Sequence, residues 1–359
     1  KIIPLGGLDG IGKNITVLEY KNDIMIVDCG ISFPEDDMLG IDIVLPDVDY
    51  LKKNEHKIRG MVITHGHEDH YGAVPYILKE KLIPVYGTKL TLGLLKNQFK
   101  EHHLSTKSLK EVKPRDTVQL GCFKAEFIRV THSIPDACSI AIETPVGKVI
   151  FTGDYKIDTN PIDGQRMDIG RFAEVGNEGV LALFSDSTNV ERPGFCKSES
   201  TVGDTLHDVF LKAKSRIIVA TFASNVHRVQ QIVNSAVKYN RKIAVCGRSM
   251  INMINTAREI GYIDAPENMF IDIDLIKNYT DEQLAQTPQD YERLIFECIL
   301  GDKSHFAHYL EVEHAWKYID NLFSHWQKIE PDFPNYEAGS KGPQAADDLL
   351  AKHHIEWHQ

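Results

Sequence analysis

The sequence predicts an α/β protein: a two-sheet sandwich with helices on its outer faces, followed by a smaller unit in which strands and helices alternate. Three observations carry this expectation. Over roughly the first 195 residues, short apolar or alternating runs bounded by turn residues recur, with helical patterns that do not alternate strictly with them. From Thr201 the rhythm changes to clean helix–strand alternation, the pattern of a parallel βαβ unit. Between them, Gly60 to Gly72 (G-M-V-I-T-H-G-H-E-D-H-Y-G) places a dense set of metal-ligand side chains at the end of an apolar run.

Taken in order, Ile2 to Leu5 is strand-like, and Ile15 to Tyr20 and Ile24 to Val27 flank the hairpin signal Lys21-Asn22-Asp23. The opening L-G-G-L-D-G-I-G-K-N suggests a nucleotide-binding loop. Gly7, Gly10 and Gly12 have the wrong order for G-x-G-x-x-G, however, and strands follow where a helix is needed. A glycine-rich turn near the ligand cluster is the better reading. Residues 34–50 form an acidic segment expected as a long loop over that cluster. After the cluster, Ala73, Val74, Ile77 and Leu78 have helical spacing, Ile83 to Tyr86 reads as a strand, and Lys89 to about His102 as a longer helix. Short strands are expected at Thr117 to Leu120, Phe123 to Val130, Ser139 to Thr144, Lys148 to Phe151 and, buried, at Val180 to Phe184. In the second unit, helices over Thr201 to Lys214, Asn225 to Tyr239 and Met250 to Ile260 alternate with strands at Arg216 to Thr221 and Lys242 to Cys246. Ligands are then expected at strand C-termini, where Ser224 and Asn225 can cap a helix whose N-terminus can hold a phosphate.

The 359 residues, 42% hydrophobic and 25% charged, have the composition of an ordinary globular protein with room for two domains. No window approaches a membrane-spanning apolar run. The chain opens on Lys1 without an initiator Met or signal peptide, so it is expected to begin a little inside the gene product. The six cysteines are scattered, without a C-x-x-C pair, which suits reduced and mostly buried thiols in a cytoplasmic protein. A net charge of −11 argues against a protein that coats nucleic acid. It leaves room for a nuclease, because metals and a local basic groove can hold phosphates on an otherwise acidic molecule. Such a local excess runs from Lys79 to Arg115, with a solvated helix face as the plainer reading.

The chemistry concentrates in the strand-end loop. Met61, Val62 and Ile63 form the apolar run, which stops at Thr64, and His65, His67, Asp69 and His70 follow within six positions. Imidazoles with a carboxylate suit a borderline divalent ion such as zinc or manganese. Gly66 leaves room for close backbone packing between the two histidines. The alternative is a polar loop whose histidines happen to be close.

This run resembles the hallmark of the metallo-β-lactamase superfamily, whose members fold as an αββα sandwich and hydrolyse substrates with one or two metals. The resemblance points to three further strand-end positions: Asp28 in I-M-I-V-D-C-G, His132 in R-V-T-H-S-I-P-D and Asp154 in I-F-T-G-D-Y. Together with G-G-L-D-G-I-G-K-N, F-P-E-D-D-M-L-G-I-D, V-Y-G-T-K-L-T-L-G-L, S-D-S-T-N-V-E-R-P-G and F-A-S-N-V-H-R, these motifs resemble the ribonuclease J family over residues 2–283. That family carries a β-CASP domain inserted in the lactamase-like one and acts on RNA as a 5′-to-3′ exonuclease and endonuclease. Carried over by motif, the resemblance implies that His65, His67, His132 and Asp154 hold one metal, and that Asp69, His70 and the shared Asp154 hold the other. Asp28 would orient a ligand histidine. Asp69, His70, Asp154 and His227 would be catalytic, and Asp186, Ser224, Asn225 and His227 would line the RNA cleft. For His227, a satisfied polar residue in a helix's first turn is the competing reading. The cofactor implied is zinc at two sites, with manganese or magnesium as alternatives. The partners implied are RNA and a homo-oligomer or RNA-decay complex.

The family pattern is lost beyond Gln283. The H-x-S-G-H run and the late histidine that completes the second metal site have no counterpart, so that site is expected to be incomplete. From Thr287, T-P-Q-D-Y-E-R-L-I-F-E-C-I-L-G-D and Y-E-A-G-S-K-G-P-Q-A-A-D-D-L-L resemble the C-terminal end of glucose-6-phosphate dehydrogenase, without any dinucleotide fingerprint. The expected organisation is a lactamase-like domain at 1–195, a partial, truncated β-CASP domain at 196–283 and an unrelated tail at 284–359, with a join near 283–287. The alternatives in function are another hydrolase of this fold, for a small ester or a phosphodiester, and a non-catalytic remnant that binds RNA or a partner.

Overall fold

The computed structural model describes residues 1–273 except 9, 36, 37, 39, 80 and 81, together with isolated positions between 316 and 352. Apart from those isolated positions, the tail expected at 284–359, its dehydrogenase-like motifs and the join near 283–287 lie outside the described residues. The chain divides into two units, Lys1–Pro288 and Gln289–Gln359, and the architecture below is that of the first.

Six strands form the first sheet in sequence order: β1 (Ile2–Gly6), β2 (Ile15–Tyr20), β3 (Asp23–Val27), β4 (Ile58–Val62), β5 (Val85–Gly87) and β6 (Leu109–Glu111). The first three are antiparallel, and β3 to β6 run parallel. A second sheet holds β7 (Thr117–Leu120), β8 (Phe123–Arg129), β9 (Cys138–Thr144) and β10 (Gly147–Phe151) as an antiparallel meander, with β11 (Ala182–Phe184) parallel to β10 at its edge.

Side-chain alternation explains the layering. Along β3, Ile24 and Ile26 enter one core, and Met25 and Val27 enter another. A strand with apolar residues at every position is buried on both faces, since successive side chains point to opposite sides. The Met25–Val27 face meets Phe123, Phe127, Ile140, Ile142 and Phe151 of the second sheet. The Ile24–Ile26 face is covered by α1 (Asp49–Lys53), α2 (Glu68–Tyr71), α3 (Val74–Ile77) and α4 (Lys89–Glu101). The far face of the second sheet is closed by α5 (Ile169–Asn177), whose Val175 packs with Ile128, Ala141 and Ile150. The order helix, sheet, sheet, helix is the αββα sandwich expected of the sequence.

The second unit read from the sequence is present with a shifted register. Here α6 (Thr201–Lys212), α7 (Val226–Lys238) and α8 (Arg248–Glu259) form as expected, within two or three residues. The strand expected at Arg216 to Thr221 does not form. Ile218 and Val219 are 37% and 40% exposed there, and no strand among the described residues pairs with this run. The parallel pair lies one step later, β12 (Ile243–Ala244) against β13 (Phe270–Ile271), with α8 as its crossover. Val226, Val229 and Val233 of α7, with Met253, Ile254 and Ala257 of α8, join the core that Leu90, Leu94 and Leu95 of α4 line. The second segment is therefore packed onto the sandwich and is not an isolated appendage.

The helix expected from the spacing of Ala73, Val74, Ile77 and Leu78 forms as α3, with Pro75 tolerated in its first turn, and a separate single turn, α2, precedes it within the ligand run. Two further expectations change. The strand at Val180 to Phe184 is an edge strand with Leu181 and Leu183 outward and 63% and 60% exposed, not a buried one. The acidic segment after Pro34 is tied back by an antiparallel bridge between Ser32 and Val44.

Candidate metal centre

Every ligand candidate sits where a strand of the sandwich ends. His65, His67, Asp69 and His70 follow β4, with Asp69 and His70 in the single turn of α2. His132 follows β8, and Asp154 follows β10. Their donor atoms converge into two groups, His65–His67–His132–Asp154 and Asp69–His70–Asp154, each with its atoms within 4.8 Å of one another.

In the first group, Nε2 of His65 lies 3.1 Å from Nδ1 of His67, and Nε2 of His132 lies 3.2 Å from that same Nδ1. Oδ2 of Asp154 is 3.8 Å from Nε2 of His132. In the second, Nε2 of His70 is 3.3 Å from Oδ1 of Asp154 and 3.6 Å from Oδ2 of Asp69. A tetrahedral ion with bonds of about 2.0–2.1 Å sets its ligands about 3.3–3.4 Å apart. The observed edges bracket that value, so the donor sets fit a divalent ion each, with Asp154 offering a separate oxygen to each.

Burial and the neighbouring imidazoles push His65 well below its usual range and His67 to about 3. Burial, only partly offset by Asp154, takes His132 to about 4. All three are neutral near pH 7, as metal ligation requires. Asp154 is held at about 2: burial opposes ionisation, but the His70, His132 and His67 imidazoles outweigh it. His70 differs. Burial alone would depress it, yet Asp28 and Asp154 hold it well above its usual value, so in the metal-free site a proton competes for its Nε2.

The surrounding shell fixes the His65 and His70 rings. Asp28 ends β3 with φ of 59°, a left-handed conformation that Asp tolerates. Its Oδ1 accepts the Thr64 N–H at 2.7 Å, and its Oδ2 accepts the Thr64 hydroxyl at 2.9 Å. Nδ1 of His70 donates to the same Oδ2 at 2.8 Å, which leaves Nε2 free for a metal. With its proton given to Asp28, the Thr64 oxygen accepts from Nδ1 of His65 at 3.0 Å, turning Nε2 of that ring inward as well. Two glycines make the close approaches possible. A Cβ on Gly30 would fall 1.5 Å from the Asp69 carbonyl oxygen, and one on Gly153, where φ is 57°, would fall 2.9 Å from Cβ of Thr64.

Two of these neighbours were not singled out from sequence: Thr64, and Asn14, whose Nδ2 donates to the Asp69 carbonyl at 3.0 Å and approaches Nε2 of His70 at 3.1 Å. Asn14 closes the glycine-rich opening, which does lie beside the cluster as expected. The other candidates are placed around the centre. Asp186 accepts the Thr188 amide at 2.8 Å, and its charge reaches His132. Asn225 is the N-cap of α7, its Oδ1 accepting the Arg228 N–H at 3.0 Å, and Ser224 is half-buried just before it. His227 lines a cleft shared with His132, Arg129, Lys156, Asp163 and Gln165.

Residues 8–177 match the metallo-beta-lactamase superfamily, and residues 214–287 match the ribonuclease J beta-CASP domain. Through residue 287 the chain is thus similar to the ribonuclease J family in both its lactamase-like and its β-CASP part. It is 50% identical over 286 residues to ribonuclease J of Synechocystis, covering 79% of this chain and 45% of that one. It is 44% identical over 292 residues to ribonuclease J of Thermus thermophilus (79% and 51% covered) and 42% identical over 286 residues to ribonuclease J2 of Bacillus subtilis (79% and 52%). The chain thus spans about half the length of the curated relatives it matches. A crystal structure of a protein of unknown function from Enterococcus faecalis shares the fold alone, at 17% identity and a TM-score of 0.56, over 78% of this chain and 75% of that one. In a chain of lactamase-like fold, a His/Asp cluster of this geometry is suited to divalent metal. No helix among the described residues is long and apolar enough to cross a membrane.

Proposed function

We propose that this chain is a metal-dependent ribonuclease that hydrolyses RNA phosphodiester bonds, both stepwise from the 5′ end and internally, in RNA processing and decay. The observation that carries the reading is Asp154, whose two carboxylate oxygens face two separate donor sets. A pair of divalent ions bound there would supply Lewis acidity, activating water near neutral pH and neutralising charge on a phosphoryl oxygen. The residues divide the remaining work. His65, His67 and His132 with Asp154 make the tighter site; Asp69 and His70 with Asp154 offer fewer donors among the described residues and make the weaker one. His227, across the cleft from His132 and neutral through burial, can hold a proton beside the leaving 3′ oxygen. Asp186, Ser224 and Asn225 border the path of the RNA.

Zinc fits the imidazole-rich first set, and manganese or magnesium suits the carboxylate-richer second. The reading extends to a cytoplasmic protein acting as a homo-oligomer or within an RNA-decay complex. It divides the chain at 1–195, 196–283 and 284–359, the last resembling the glucose-6-phosphate dehydrogenase C-terminus without its cofactor fold. Two measurements test the central claim. The first is turnover of a 5′-monophosphorylated RNA by chain loaded with zinc, manganese or magnesium. The second is the same assay on Asp154→Ala, expected to lose turnover by at least 100-fold, an effect on the order of several kcal/mol at the transition state. Metal binding without turnover under all three ions would replace this reading with the non-catalytic RNA-binding one.

A further inference from the structure

We propose that Asp136 is a positioning residue for the first donor set, and that Tyr262 ties its carboxylate to the end of α8, so that the segment carrying α7 and α8 sets the geometry at His132. The inference rests on reading the cluster as a metal centre and adds a control element that the metal ligands themselves do not supply.

The loop between β8 and β9 carries His132 and is closed at its base by the Val130 N–H donating to the Ala137 carbonyl at 3.0 Å. Its middle is pressed inward: Ile134 is 1% exposed, and a Cβ on Gly66, between His65 and His67, would meet Cδ1 of Ile134 at 3.3 Å and of Leu94 at 3.0 Å. At its far end Asp136 adopts a left-handed conformation, φ 56°, and directs its carboxylate into the interior. There Oδ1 accepts the Thr88 hydroxyl at 2.8 Å, while Oδ2 accepts the Leu90 N–H at 2.9 Å and the Tyr262 hydroxyl at 2.9 Å. Thr88 and Leu90 begin α4, and Tyr262 comes 126 residues later in the chain, just past α8.

None of these donors is a cation. A carboxylate in such surroundings costs more to bury than an apolar group of the same size, so packing alone does not explain it. What it adds is direction, because three fixed donors from two elements define where the loop end can sit. The separation between Nε2 of His132 and Oδ2 of Asp154, 3.8 Å, is the longest quoted edge of the first set. Of the first set, His132 is the ligand that this loop carries, so a rotation of the loop displaces it against the other three. Without the Tyr262 hydroxyl, Oδ2 keeps only the Leu90 amide, and the loop loses this hydrogen bond to the end of α8.

The test uses the full chain with Co2+ as the probe, read by its visible spectrum and by chelator competition, with thermal melting alongside. Tyr262→Phe should weaken Co2+ at the first site roughly 3- to 10-fold, and Asp136→Asn roughly 10- to 100-fold, each with a changed spectrum. Asn97→Ala is the control. It removes a bond between the same two helices, Nδ2 of Asn97 to the Thr256 hydroxyl at 2.8 Å, without touching the loop, and should leave the Co2+ spectrum unchanged. Lower melting temperatures with unchanged affinity and spectrum in the Tyr262 and Asp136 variants would overturn the proposal while leaving the metal centre standing. An equal shift in the Asn97 variant would also overturn it, assigning the effect to helix docking in general. If the unaltered chain bound no Co2+, the metal reading would fall and this inference with it.

Discussion

Asp28→Asn isolates the role of one carboxylate with little disturbance elsewhere. Asn is nearly isosteric with Asp and adopts the left-handed backbone as readily, so the φ of 59° adds no strain. The new amide has two orientations. If its oxygen keeps the Thr64 N–H at 2.7 Å, its NH2 faces Nδ1 of His70, which sits 2.8 Å from the present Oδ2. That nitrogen must then accept, the ring proton moves to Nε2, and the atom meant for the second metal is blocked. If the amide flips, its NH2 meets the Thr64 N–H donor to donor at the same short distance, leaving buried donors unpaired at about 1–3 kcal/mol. Either route costs the second site about 1.4–2.8 kcal/mol, a 10- to 100-fold loss of affinity typical of removing a ligand's hydrogen-bond partner. The first donor set does not touch Asp28 directly and should hold its ion. Calorimetric titration with zinc or manganese should therefore show stoichiometry falling from two ions towards one, with the fold kept by circular dichroism. Two ions bound with unchanged affinity would refute the argument that Asp28 sets the tautomer of His70.

Two further outcomes follow from the packing around the site. Gly30→Ala places a methyl 1.5 Å from the Asp69 carbonyl oxygen, backbone against side chain with nothing flexible to yield, and should destabilise the chain by about 3 kcal/mol or more in urea unfolding. An unchanged unfolding midpoint would show that the Asp69 turn can move. Glu19, whose side chain is only 5% exposed, accepts bonds from Lys57 above all, then Tyr50 and Lys1, and is held at about 2 instead of the usual 4.5. A depressed carboxylate stabilises above its unfolded pKa, and that contribution is lost as pH falls from about 4.5 towards 2. The full linkage is about 3 kcal/mol, but flexible lysine chains rather than core surround it, so solvent screening reduces it to about 1–2 kcal/mol. Glu19→Gln should lower stability by that amount at pH 7 and by little near pH 2, and a pH-independent difference in unfolding free energy would contradict the linkage.

What could be read from the sequence depended on how far apart the interacting residues lie along the chain. His65, His67, Asp69 and His70 are local, and strand-end placement plus a known motif added His132 and Asp154, so both donor sets were predicted with their shared carboxylate. The strands of the sandwich were legible because short apolar runs such as Ile24 to Val27, bounded by turn residues, mark a strand buried on both faces. The strand expected at Arg216 to Thr221 failed for the complementary reason: its apolar pattern describes what the residues prefer, while strand formation needs a partner edge that composition does not reveal.

The least legible features are polar contacts that join distant segments. Asn14 meets Asp69 across 55 residues, Thr64 meets Asp28 across 36, and Tyr262 meets Asp136 across 126. Each is an ordinary residue with no periodic signal, and each gains its role only when the fold brings a buried acceptor to it. The metal ligands, by contrast, announce themselves by chemistry and spacing but do not fix their own tautomers or angles. That division has a consequence for altered chains. Substitutions in the H-x-H-x-D-H run remove donors and should abolish metal binding stepwise. Substitutions at Asp28, Thr64, Asp136 or Tyr262 leave every donor present but misdirected, and should appear as weakened affinity and an altered metal spectrum before any loss of stoichiometry at the first site.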